Sequence, residues 1–109
     1  MRDMAITYEE CLEDVLMEIV RVVAIHPMNL HRLAVFHEES GELAKALLDN
    51  YEDPSVYTST AVYCEAIQAA AMAVRLAVEG DDSFAYSPLD VVRAETVVEE
   101  EASIPKGDL

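Results

Sequence analysis

The side chains in this sequence whose types and spacing could do chemistry are acidic. Glu38, Glu39 and Glu42 lie within five residues, and Glu65 and Gln68 form a second group further along. At ~100° per residue on an α-helix, Glu38, Glu42 and Glu39 fall within an arc of roughly 100°. Val35 and Ala46 share that arc and Leu43 borders it, so these acids do not sit on a purely polar face. Glu65 projects in line with Ala61, Ala69, Met72 and Leu76, the most apolar line of its segment, with Gln68 one step to the side. An ionised carboxylate placed there costs several kcal/mol unless something compensates it. Lys45 and Arg75 are the nearest basic residues in sequence. If the two segments pack as antiparallel helices, Glu65 meets the first group, and carboxylates so crowded need protons or cations between them. Oxygen donors without thiolate or imidazole suit a hard cation, Mg²⁺ or Mn²⁺. The plainer readings are a solvated acidic face for Glu38 and Glu39, and a salt bridge to Arg75 or Lys45 for Glu65.

Other chemistries find no support. A ferritin-type di-iron bundle needs Glu-x-x-His twice; His26, His31 and His37 are preceded three residues earlier by Val23, Met28 and Ala34. These histidines cluster near one turn and suit caps or surface positions. There is no Gly-rich phosphate loop, no G-x-S-x-G and no zinc-ligand spacing. Tyr51, Tyr57, Tyr63 and Tyr86 fit packing or surface roles better than a base pocket. Cys11 and Cys64 belong to no C-x-x-C pair and read as free thiols in a reducing compartment, with a disulfide between their helices as the alternative.

The balance of 22 acidic against 7 basic side chains, a net charge of −15, supplies no basic face for nucleic acid and none for anionic membranes. A phosphorylated ligand would therefore need a cation to mediate its binding. No segment approaches ~18 uninterrupted apolar residues, and the N-terminus lacks the apolar run of a signal peptide. The expected location is cytoplasmic.

The elements that must position these acids are helices. Thr7-Tyr-Glu-Glu10 reads as a capping box. The apolar stripe Tyr8, Cys11, Leu12, Val15, Leu16, Ile19, Val22 and Val23 then carries a first helix to about residue 25, where Pro27 bars continuation. Asn29 is the expected cap of a second helix over about 30–49, with Leu33, Phe36, Ser40, Leu43 and Leu47 on one face. Turn chemistry from Asp49 to Ser55 leads to a third helix over about 57–79, stopped by Gly80. Ser87 and Pro88 open a fourth over about 88–100, whose terminal glutamates oppose the macrodipole. The reading is one all-α domain over 1–102, an antiparallel four-helix bundle, followed by a disordered tail over 103–109. The third helix carries alanine on more than one face, and a helix apolar all round needs more partners than so short a chain holds. A homo-oligomer, at least a dimer, is expected.

The segment Glu38-Glu39-Ser-Gly-Glu42-Leu-Ala-Lys-Ala, followed by Glu65-Ala-Ile-Gln68-Ala-Ala-Ala-Met, resembles the MazG-like all-α nucleoside triphosphate pyrophosphohydrolases. Their signature is Glu-Glu-x-x-Glu, then Glu-x-x-Asp on the next helix, and the 22 residues between Glu42 and Glu65 are compatible with it. The likeness covers roughly residues 30–80. It implies a helical bundle forming homodimers or homotetramers. It also implies Mg²⁺-dependent hydrolysis of nucleoside triphosphates to the monophosphate and pyrophosphate, often on non-standard or surplus nucleotides. Carried over by position, Glu38, Glu39, Glu42 and Glu65 would be metal ligands or supports of the bound water, with Glu38 or Glu39 accepting its proton. Gln68 stands where the signature has aspartate, and an amide oxygen can ligate a hard cation but carries no charge. Lys45, one turn beyond Glu42, could steady a phosphate. A rival reading uses the acidic surface alone: a non-catalytic bundle acting as a protein-interaction module or a mimic of nucleic-acid charge.

Overall fold

The computed structural model describes residues 5–25 and 31–92. Three α-helices follow in order, α1 (Tyr8–Ile25), α2 (Arg32–Glu52) and α3 (Ser59–Glu79), then a single 3-10 turn at Pro88–Asp90. The described residues contain no strand. α3 is central: α1 and α2 each pack on it and make no backbone approach to one another. The fold is all-α, and the described residues hold three α-helices where four were expected over the whole chain.

Local chemistry explains each boundary. The capping box at the start of α1 forms: the Glu10 amide donates to Thr7 Oγ1 at 3.1 Å, and the Thr7 amide donates to Glu10 Oε1 at 3.0 Å. α2 begins at Arg32 rather than residue 30, and Asn29, its expected cap, lies outside the described residues. The residue before the helix is His31, left-handed at φ 63° and making no side-chain cap. The cap comes instead from Asp81, fifty residues away, which accepts from the His31 amide at 3.2 Å and the Leu33 amide at 3.0 Å.

At its other end α2 runs to Glu52, past the expected stop at residue 49. The turn-forming residues there are occupied without breaking the helix: Asp49 pairs with Lys45 at 2.7 Å, and Asn50 Nδ2 donates to the Tyr57 carbonyl at 2.6 Å. Pro54 is the actual barrier. α3 begins at Ser59, because Thr58 takes the cap role and accepts from the Ala61 amide at 3.3 Å. Gly80 ends it at φ 77°, where an added Cβ would stand 3.0 Å from Pro88 Cδ.

The fourth helix starts as its sequence suggests, with the Ser87 hydroxyl accepting from Leu89 and Pro88 in the first turn. It does not continue from there: Val91 is extended, at φ −77° and ψ 130°. Two adjacent β-branched valines favour that geometry over a second turn. The rest of the expected helix, 93–100, and the tail 103–109 lie outside the described residues.

The core is small. Val15, Ile67 and Ala71 are its fully buried centre, with Cys11, Ile19, Tyr63 and Ala70 against them. Of the stripe read on α1, only the Cys11–Val15–Ile19 side faces inward; Leu12 and Leu16 are more than half exposed. Cys11 and Cys64 are both free. By length and composition α3 could cross a membrane. Among the described residues it packs between α1 and α2 and carries Glu65 and Arg75.

Candidate metal centre

The two helices that carry the acids are tied together at the far end from the 53–58 connection. Arg32, in the first turn of α2, is 2% exposed and donates through Nη2 to Glu79 Oε1 at 2.6 Å and through Nη1 to the Gly80 carbonyl at 3.1 Å. Arg75, also 2% exposed, donates to both Glu79 oxygens, through Nε to Oε2 at 2.9 Å and through Nη2 to Oε1 at 3.1 Å. Its two guanidinium partners keep the Glu79 carboxyl below the usual glutamate range, with the Arg75 hydrogen bonds the larger cause. Asp81 completes this cluster. The amides of Leu33, Ser83 and His31 all point at its carboxylate and hold it down to about 2.

Further along the same helix pair, Glu39 and Glu42 of α2 meet Glu65 of α3. One carboxylate oxygen from each lies within 4.8 Å of the other two. Glu39 and Glu65 are half-buried, and Glu42 is exposed. Glu39 Oε2 and Glu65 Oε2 are shut off from solvent, and neither has a hydrogen-bond partner. The neighbouring basic groups are engaged elsewhere. Lys45 pairs with Asp49, Arg75 with Glu79, and Arg75 lies ten residues from Glu65, about 15 Å along the helix. The salt-bridge reading of Glu65 is thereby removed.

Glu39 carries the electrostatic cost. Burial raises its proton affinity above the ordinary glutamate value, and the charges of Glu42, Glu65 and Glu38 raise it further. Glu38 is exposed and stands outside the triad, though close enough for its charge to act on Glu39.

Two cavities flank the triad. One, of about 200 Å³, lies where all three helices meet; Glu18, Arg21, Glu39, Gln68, Met72 and Arg75 are among its walls. Gln68 therefore reaches the space beside Glu39. The other, about 220 Å³, is bounded by Glu42, Lys45, Asp49, Tyr57 and Glu65. Lys45 reaches that rim, but its side chain is 77% exposed and its ammonium is already paired with Asp49, so it is a weaker phosphate group than its sequence position suggested.

The geometry thus gathers Glu39, Glu42 and Glu65, sets Gln68 beside Glu39, and leaves Glu38 at the edge. Sequence reasoning missed Arg32 and Asp81. A signal was present for both: an arginine in a helix's first turn opposes the macrodipole unless an acid answers it, and Asp81 directly follows the helix-ending Gly80. No protein-family model, curated protein or solved structure matches the chain.

Proposed function

We propose that this chain is a Mg²⁺-dependent nucleoside triphosphate pyrophosphohydrolase of the MazG-like all-α type, converting a nucleoside triphosphate to its monophosphate and pyrophosphate. The observation that carries the reading is the pair of buried, unpartnered oxygens, Glu39 Oε2 and Glu65 Oε2, inside a three-carboxylate cluster. Buried carboxylate oxygens are ordinarily hydrogen-bonded, and a hard divalent cation supplies what these lack. Glu39, Glu42 and Glu65 would hold the ion, with the Gln68 amide beside Glu39 as a neutral fourth donor. Mn²⁺ fits the same oxygens.

A bound cation would neutralise triphosphate charge and acidify a coordinated water. The chain's own residues do the rest. Water attacks phosphorus at the α–β bridge, the bridging P–O bond breaks, and pyrophosphate departs. Glu38, outside the triad and in reach of solvent, takes the water's proton. With a net charge of −15, the ion rather than a cationic patch would hold the phosphates, and the acidic excess opposes nucleic acid and anionic membranes as partners. A cytoplasmic location fits a nucleotide substrate.

The quaternary structure belongs to the same reading. Leu12, Leu16, Met17 and Val20 of α1 are each more than 60% exposed, and so is Val78 of α3. Exposed apolar surface of that extent calls for a partner. A second copy, in a homodimer or homotetramer, supplies it.

The test is pyrophosphate release from a panel of ribo- and deoxynucleoside triphosphates, with and without Mg²⁺. Glu42→Gln and Glu65→Gln should lose both turnover and the stabilisation that Mg²⁺ gives. Glu38→Gln should lose turnover and keep the stabilisation. Release at the wild-type rate from the Glu42 and Glu65 variants overturns the assignment.

A further inference from the structure

Resting on the metal reading above, we infer that the Arg32–Glu79–Arg75 cluster with Asp81 is a positioning device for the carboxylate triad. It sets the register of α2 on α3, and the triad forms in only one register. Arg32 and Glu39 are seven residues apart, so they share a face of α2 to within ~20°. Glu65 and Glu79 are fourteen apart and share a face of α3 to within ~40°. The cluster and the triad are therefore two points on one helix–helix seam.

Between them the seam is apolar. α3 presents Ala69, Met72 and Leu76, and α2 presents Phe36. Apolar contacts are non-directional, whereas the cluster is directional. Two arginines buried to 98% converge on one carboxylate, and Asp81 accepts from two amides of the first turn of α2. A slip of one turn, ~5.4 Å, exceeds the 4.8 Å spread of the three carboxylate oxygens. Buried ionic groups of this kind serve specificity of arrangement better than net stability.

The experiment is Mn²⁺ titration of the full chain by electron paramagnetic resonance, well below every variant's melting temperature. The variants are Arg32→Met, Arg32→Lys and Asp81→Asn, with Thr7→Ala as a control that destabilises α1 away from the seam. The expected result is at least tenfold weaker Mn²⁺ binding for Arg32→Met and Asp81→Asn. Arg32→Lys, which keeps one charge on Glu79, should recover part of the loss, and Thr7→Ala should bind as wild type does. If Arg32→Met does not fold, the near-isosteric Asp81→Asn carries the comparison. Unchanged Mn²⁺ affinity in a folded, destabilised Asp81→Asn protein overturns the inference and leaves the metal reading standing. Failure of the wild type itself to bind Mn²⁺ overturns both.

Discussion

Glu39 concentrates the conflict built into the site. Burial and three neighbouring carboxylates raise its proton affinity, so the folded chain holds that proton more tightly than the unfolded chain does. Its contribution to stability is therefore fully present below the ordinary glutamate range and is lost as pH rises through the raised folded value. In metal-free buffer Glu39→Gln should melt higher than wild type at neutral pH, and the gap should close on acidification to about pH 4. Melting curves across that range check this; a variant less stable than wild type at neutral pH contradicts it. The inward placement of Glu65 was legible from its line of Ala61, Ala69 and Met72, since helical projection alone assigns it a face. The partition of the first acidic group was not. Glu38 and Glu39 are adjacent, and only the tilt of α2 on α3 decides that Glu39 turns inward and Glu38 out.

The helices themselves are held by caps, some local and some distant. Thr7 and Thr58 cap within their own segments, and both signals stand in the sequence next to the helix they start. Replacing either by alanine should cost about 1 kcal/mol and lower the melting temperature by roughly 5 °C. Asp81 acts across the fold, which is why the start of α2 was misplaced: no local pattern shows that a residue after α3 will cap α2. Its carboxyl is depressed to about 2, so its contribution is present above the unfolded value and disappears as pH falls through about 2. Asp81→Asn should melt lower than wild type at neutral pH, with the difference shrinking steadily below pH 4. A constant difference down to pH 2 would mean that shape, and not charge at the helix start, is what Asp81 supplies. The fourth helix shows the limit of cap signals. Ser87 and Pro88 do open a turn, but a cap starts a helix without guaranteeing a face to bury, and Val91 leaves the helical region.

Across the molecule, three helices share few fully buried apolar residues, while one side of α1 presents Leu12, Leu16, Met17 and Val20 to solvent. Helical periodicity made the apolar stripe of α1 legible, yet it could not say that α3 would take only one edge of it. If a second copy covers the remainder, wild type should sediment as a dimer or tetramer, and Leu16→Glu with Val20→Glu should yield monomers of lower melting temperature. Wild-type protein sedimenting as a monomer at micromolar concentration contradicts that assembly. The acidic excess disfavours self-association at low salt and makes divalent cations bind weakly to almost any surface, so the metal claim needs a site-specific test. That test is the melting temperature of wild type and Glu65→Gln in millimolar Mg²⁺, against NaCl of matched ionic strength. The proposed centre requires Mg²⁺ to raise the wild-type midpoint well beyond the NaCl response and to leave Glu65→Gln at that response. Equal shifts in the two salts for wild type would contradict a metal centre and leave an acidic helical bundle.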